Sequence, residues 1–131
     1  NDGDIDVVCG SDQDNDIVWY EHLGSWSFSL EQNIANGFPS PGELDVLDYN
    51  NDGFMDIYAY GNFAAPTIYS IQNNGSGNFS IPAVARMFNN NFGASKFYFT
   101  DVYGQGSIDF IASGDGIIWN LSEPNFNLSM I

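Results

Sequence analysis

At 131 residues the chain has the length of one domain, and 44% hydrophobic residues supply enough apolar surface for a packed core, which excludes a disordered polymer. The formal charge of −15, from 17 acids against only Arg86 and Lys96, repels phosphate backbones and anionic lipid, so nucleic acid is excluded as a partner. No apolar run reaches the roughly 18 residues that insert across a membrane, there is no basic-then-apolar leader, and a lone Cys9 makes no internal disulfide. The chain reads as soluble or already processed.

In chain order, Asp6 stands three residues after Gly3 and opens the apolar run Val7, Val8, Cys9. An acidic stretch, Asp12, Asp14 and Asp16, leads to Ile17, Val18, Trp19; it reads as a solvated hairpin, because no glycine turn or neighbouring ligand makes it a cation cage. Phe28 and Leu30 alternate with period two and predict a third strand. Leu44 and Val46 predict the strand that enters Asp48, Tyr49, Asn50, Asn51, Asp52, Gly53, Phe54, Met55, Asp56. Three further runs follow, at Ile57 to Ala59, Thr67 to Tyr69, and Phe79 with Ile81. The pattern then begins again: Phe97 and Phe99 before Asp101, Asp109 with Phe110 to Ala112, Ile117 to Trp119, and Phe126, Leu128, Met130.

The order of these runs is a repeat of about fifty residues, each full unit holding four short strands and no helix. The units run 1–36, with only its last three strands, then 37–88 and 89–131. Small four-stranded sheets bury their faces only against neighbouring sheets, which predicts an all-β fold of antiparallel β-propeller-type blades, three units with the first lacking its inner strand. Eleven strands are expected, and the open inner edge of the first unit is expected to invite another strand, from a longer chain or from a further copy in a fibrous assembly.

The Asp48 to Asp56 stretch carries the chemistry. Carboxylate or amide oxygens occupy positions 1, 3, 5 and 9, and Gly53 follows the third of them, where the backbone must turn sharply to aim them inward. Three aspartates in nine residues repel one another unless a cation neutralises them, and Ca²⁺ suits such a flexible oxygen shell better than Mg²⁺. Phe54 offers only its carbonyl. No glutamate stands at position 12, where Ala59 sits, and the flanks are strands, so this is not an EF-hand. The alternative is an Asp- and Asn-rich turn with no ion.

The DxNxDGxxD run from Asp48 to Asp56, the strand after it, Ile17-Val18-Trp19-Tyr20, and Phe92-Gly93 ahead of Asp101 together resemble the FG-GAP and VCBS repeats of integrin-like propellers, over nearly the whole chain. The resemblance implies blades with strands A to D from inside to outside and Ca²⁺ held between A and B. Its ligands would be Asp48, Asn50, Asp52, Asp56 and the carbonyl of Phe54. The first loop retains only Asp2, Asp4 by its carbonyl, and Asp6, a partial second site. In the third loop Asp101 and Asp109 remain but Tyr103 and Gln105 replace the middle ligands, so that loop is expected to be empty.

His22, the one histidine, has no nucleophile motif near it and reads as an exposed strand-end residue. Cys9 aligns with Ala59 and Ala112 as a small packing residue. Trp19, Tyr69 and Trp119 align and predict packing between blades, and Trp26, off that register, is also read as a core residue although it is freer to meet a sugar face. Four sequons, at Asn74, Asn78, Asn120 and Asn127, favour an extracellular or cell-surface glycoprotein. The expected function is a calcium-binding structural or adhesive module that is not an enzyme and engages proteins or further copies of itself. The alternatives are a carbohydrate-binding propeller that takes glycans, or a fragment of a propeller enzyme.

Overall fold

The computed structural model describes residues 3–62, 66–87, 96–101, 109–114 and 117–121. Among them there is no helix, and no helix long and apolar enough to cross a membrane. Ten strands form three antiparallel sheets. The first is β1 (Val7–Ser11), β2 (Asp16–Tyr20) and β3 (Gln32–Asn36); the second is β4 (Leu44–Leu47), β5 (Asp56–Asn62), β6 (Pro66–Ile71) and β7 (Ala83–Met87); the third is β8 (Lys96–Thr100), β9 (Asp109–Gly114) and β10 (Ile117–Leu121). Each sheet follows chain order, as propeller-type blades do, and β1 lies at the edge of its sheet where β4 leads the next. The expected fourth strand of the third unit, around Phe126, lies outside the described residues. The chain divides into two compact units, Asn1–Met87 with the first two sheets and Phe88–Ile131 with the third.

The first two sheets pack face to face around one core. Ile17 and Ala35 of the first meet Ile57, Ala59 and Ile71 of the second, with Phe38 from the connection between them. Phe38 also packs edge-on against Tyr69, ring centroids 5.0 Å apart. Period-two alternation explains which residues arrive: Ile57 and Ala59 share one face of β5, while Tyr58 goes to the other.

The aligned residues differ in register between the sheets. Tyr69 stands opposite Ala59, and Trp119 opposite Ala112, but the residue opposite Cys9 is Val18, not Trp19. Four residues separate Ser11 from its partner Asp16, whereas five separate the equivalent Gly61 from Thr67. A one-residue slip in a strand moves a side chain to the opposite face. Trp19 therefore pairs with Val8 and packs against Phe79 of the second sheet, centroids 6.3 Å apart. Cys9 keeps the Ala59 position but is exposed, because it lies on the face of β1 turned away from the second sheet.

The outer strands also differ from expectation. Phe28 and Leu30 lie outside β3, as Phe79 and Ile81 lie outside β7; they form the returning leg of an extended hairpin, with isolated bridges His22 to Phe28 and Asn73 to Phe79. The serine beside each phenylalanine accounts for the interruption. Ser29 Oγ accepts the Glu21 N–H and Ser80 Oγ accepts the Gln72 N–H, both at 2.9 Å, so a hydroxyl replaces a ladder carbonyl. Leu30 and Ile81 consequently point outward, 90% and 86% exposed. Past them both outer strands carry the same bulge, the register shifting between Ile17 and Val18 in one sheet and between Ile68 and Tyr69 in the other. Trp26 sits at the first hairpin's tip with φ +62° and is 95% exposed, not a core residue, because two residues of turn with left-handed backbone precede it and direct it to solvent.

Tyr58, buried on the far face of β5, has its phenol pushed up to about 12 by burial, with the nearby Tyr49 and Asp56 adding to the rise. The folded chain therefore holds this proton more tightly than the unfolded chain. The group's contribution is complete below about pH 10 and is lost as pH rises from there to about 12, a change on the order of 2 kcal/mol. Urea unfolding at pH 9 and pH 11.5 is expected to show a drop that is smaller by this amount in Tyr58→Phe.

Candidate metal centre

Strand β4 delivers the chain into the acidic loop and β5 takes it away, so positions 48 to 55 form the connection between the first two strands of the second sheet. The loop closes on its own backbone. Asp52 N–H donates to Asp48 Oδ1 at 3.0 Å and to Asn50 Oδ1 at 2.9 Å, Gly53 N–H to Asp48 Oδ2 at 2.9 Å, and Phe54 N–H to Asp52 Oδ1 at 2.9 Å. Three consecutive N–H groups thus gather three of the anticipated ligands. Two left-handed residues, Asn51 at φ 58° and Gly53 at φ 89°, supply the curvature, in the asparagine and glycine that tolerate it best.

Asp56, the last anticipated ligand, begins β5 and is 1% exposed. Its Oδ1 accepts the Asn73 N–H at 2.9 Å, pinning the loop to the hairpin between β6 and β7. Burial pushes its carboxyl up, the Asn73 N–H pulls it down, and the charges of Asp52 and Asp48 raise it further. The electrostatics therefore disfavour a bare anion at Asp56, and a bound cation would reverse that.

The donor chemistry of Asp48, Asn50, Asp52, Asp56 and the Phe54 carbonyl fits a hard cation, and the sequence order matches the observed loop closure. Among the described residues, no three carboxylate, imidazole or thiol groups gather closely enough to hold an ion by themselves. An ion here would rely on Asn50 and the Phe54 carbonyl as well as the carboxylates.

The first loop repeats one part of this arrangement. Asp6 Oδ1 accepts the His22 N–H at 2.9 Å, the counterpart of Asp56 and Asn73. His22 is half-buried rather than exposed, its ring 5.2 Å from Phe28 and its Nδ1 3.7 Å from Asp4 Oδ2. Asp4 and Asp6 are both exposed, and Asp2 lies outside the described residues. In the third sheet Asp109 is 1% exposed like Asp56, while Tyr103 and Gln105 lie outside the described residues. Asp14 of the acidic hairpin bonds Ser11 Oγ at 2.9 Å and stays at the surface. Asn74 and Asn78 are exposed at the β6–β7 hairpin, Asn120 is the penultimate residue of β10, and Asn127 is outside the described residues.

The recurrence of an aspartate that both ends the loop and caps the neighbouring hairpin is the arrangement on which relatedness can be judged. Residues 1–59 match the FG-GAP-like repeat family. The match covers the first sheet, β4 and the whole Asp48 to Asp56 loop, and it agrees with the all-β, blade-type sheets. No curated protein and no solved structure matches the chain. Sequence reasoning missed the two serines and the hairpin N–H groups that Asp6 and Asp56 cap. Their signal was present, since Ser29 and Ser80 follow the strands Ile17 to Tyr20 and Thr67 to Ile71 in corresponding places.

Proposed function

We propose that this chain is an extracellular or cell-surface FG-GAP-like propeller module with a structural or adhesive role, stiffened by Ca²⁺ at Asp48, Asn50, Asp52, Phe54 and Asp56. The observation that carries the reading is the acidic loop itself: it gathers Asp48, Asn50 and Asp52 on adjacent N–H groups beside the buried Asp56. The cation supplies the neutralising charge. The residues supply the turn and, through Asn73, the link to the outer hairpin, so binding stiffens two connections at once. A partial site at Asp2, Asp4 and Asp6 belongs to the same reading. Exposure of Asn74 and Asn78 supports glycan attachment on the outer hairpin. The module is not an enzyme, and it meets protein partners or further copies of itself, the edge strand β1 being one surface for strand addition.

The test is thermal unfolding with calcium and with chelator. At a calcium concentration about one hundred times the dissociation constant, binding to the folded state alone adds roughly 2.7 kcal/mol, which corresponds to a Tm higher by about 10 °C. Asp52→Ala is expected to abolish the response and Gln105→Ala to leave it intact. A wild-type Tm indifferent to chelator, or equal loss in both variants, refutes the calcium assignment.

A carbohydrate-binding reading is favoured by one specific observation, the 95% exposure of Trp26 on a left-handed turn, an indole face offered to solvent. On a glycan array it requires signal from the wild type that Trp26→Ala loses. Partner capture without any glycan signal returns the assignment to the protein-interaction role.

A further inference from the structure

A groove of about 510 Å³ runs between the first and second sheets, on the side that carries the acidic loop and the outer hairpins. Its walls include Val8 of β1, Leu44 and Val46 of β4, and Ile57 of β5; Trp19 and Phe79, packed edge-on, also line it. Asp6 and Glu21 supply carboxylates to the same groove. Its apolar surface is accessible, Val46 being 43% and Met55 50% exposed. The volume falls within the roughly 300–1,000 Å³ of ligand sites, and the mixture of apolar wall with a few polar groups matches their chemistry.

The charge around this groove has one sign. Residues 1–85 contain no lysine or arginine, and His22 is their one histidine. Its Nδ1 lies near Asp4, and Asp6 accepts only its backbone N–H. A partner that brings a cation to Asp6 and Glu21 gains attraction that the groove's own sequence does not provide, and the rings of Trp19 and Phe79 add cation–π stabilisation.

We propose that the groove docks an apolar segment of a partner protein that bears an arginine or lysine. The apolar side chains cover Val8, Leu44 and Val46, while the cation lies against Asp6 and Glu21. Phosphorylated and acidic segments are repelled by the same carboxylates. The inference deepens the protein-interaction reading by assigning a surface and a partner chemistry; it rests on that reading and not on calcium at Asp48 to Asp56, while calcium at the partial Asp6 site would compete with the partner's cation.

The test is ¹⁵N-correlated NMR of the whole chain titrated with the peptide acetyl-Leu-Arg-Phe-amide and with its counterpart in which neutral citrulline replaces arginine. Saturable shifts are expected at Val8, Trp19, Val46 and Phe79, and the citrulline peptide is expected to bind about tenfold or more weakly. Glu21→Gln should weaken the arginine peptide by roughly twofold to fivefold, as loss of a partly solvated ion pair does. Val46→Arg places a competing cation and bulk in the groove and should abolish binding. Val84→Arg, at another exposed strand position, adds the same charge as a control and should bind as wild type does.

No saturable shift, equal affinity for the two peptides, or identical behaviour of Val46→Arg and Val84→Arg overturns the proposal. Repeating the titration with calcium and with chelator separates the two readings. Peptide binding without a chelator-sensitive Tm removes only the calcium assignment; a chelator-sensitive Tm without peptide binding removes only this groove assignment.

Discussion

Ile57→Ala is expected to lower the stability of the unit containing the first two sheets by about 2–5 kcal/mol, the range for truncating a buried isoleucine to alanine. Ile57 is 1% exposed and belongs to the cluster that joins Ile17 and Ala35 of the first sheet to Ala59 and Ile71 of the second. Removing its side-chain methyl and methylene groups leaves a cavity between two sheets whose backbones are fixed by their own ladders, so collapse around it is limited. The measurement is the urea midpoint at unchanged m-value. Ile5→Ala, at a position 85% exposed, is the control and should stay within about 0.5 kcal/mol of wild type. If the Ile57 variant also stays there, the two sheets do not share a core in solution.

Gly75→Ala is expected to cost about 3 kcal/mol, because a left-handed backbone and a steric clash act together. Gly75 has φ +77°, and a Cβ built there would meet the Phe54 ring at 2.2 Å. Gly77 provides the separation of terms, since its φ is +75° but nothing lies within 4 Å of its Cβ position. Gly77→Ala should therefore cost only the backbone part, about 1–2 kcal/mol. Phe54 supplies the carbonyl of the proposed calcium loop, so the displaced ring is also expected to reduce any chelator sensitivity of Tm in Gly75→Ala and not in Gly77→Ala. Equal destabilisation by the two substitutions would show that the ring moves aside freely.

Both predictions turn on contacts between segments distant in sequence, and these were the least legible part. The strands themselves were legible because their determinants are local: Ile17, Ile57 and Ile68 stand in short β-branched and aromatic runs bounded by Asp, Asn and Gly. The acidic loop was legible for the same reason. Its aspartates and Gly53 lie within nine residues, and the Asp48 to Phe54 hydrogen bonds that close it reach no further than five residues along the chain.

The outer strands were misplaced toward Phe28 and Phe79 because a period-two pattern also describes a hairpin leg. Only the Ser29 and Ser80 hydroxyls, bonded eight residues back to Glu21 and Gln72, show that the leg is not yet the ladder.

By itself the sequence determined the repeat, the all-β class, the blade-like order of strands and the acidic loop, since periodicity and turn chemistry act over a few residues. The tertiary structure decided which face each strand buries. The one-residue difference between equivalent hairpins turns Trp19 toward Phe79 and Val8 while Tyr69 remains opposite Ala59. It also decided that Asp56 is a buried cap for Asn73 as well as a loop oxygen, and that Val8, Trp19, Leu44 and Phe79 line one groove. Those outcomes depend on how two sheets meet, and the free energy of that meeting comes from burial between residues tens of positions apart, which no local spacing records.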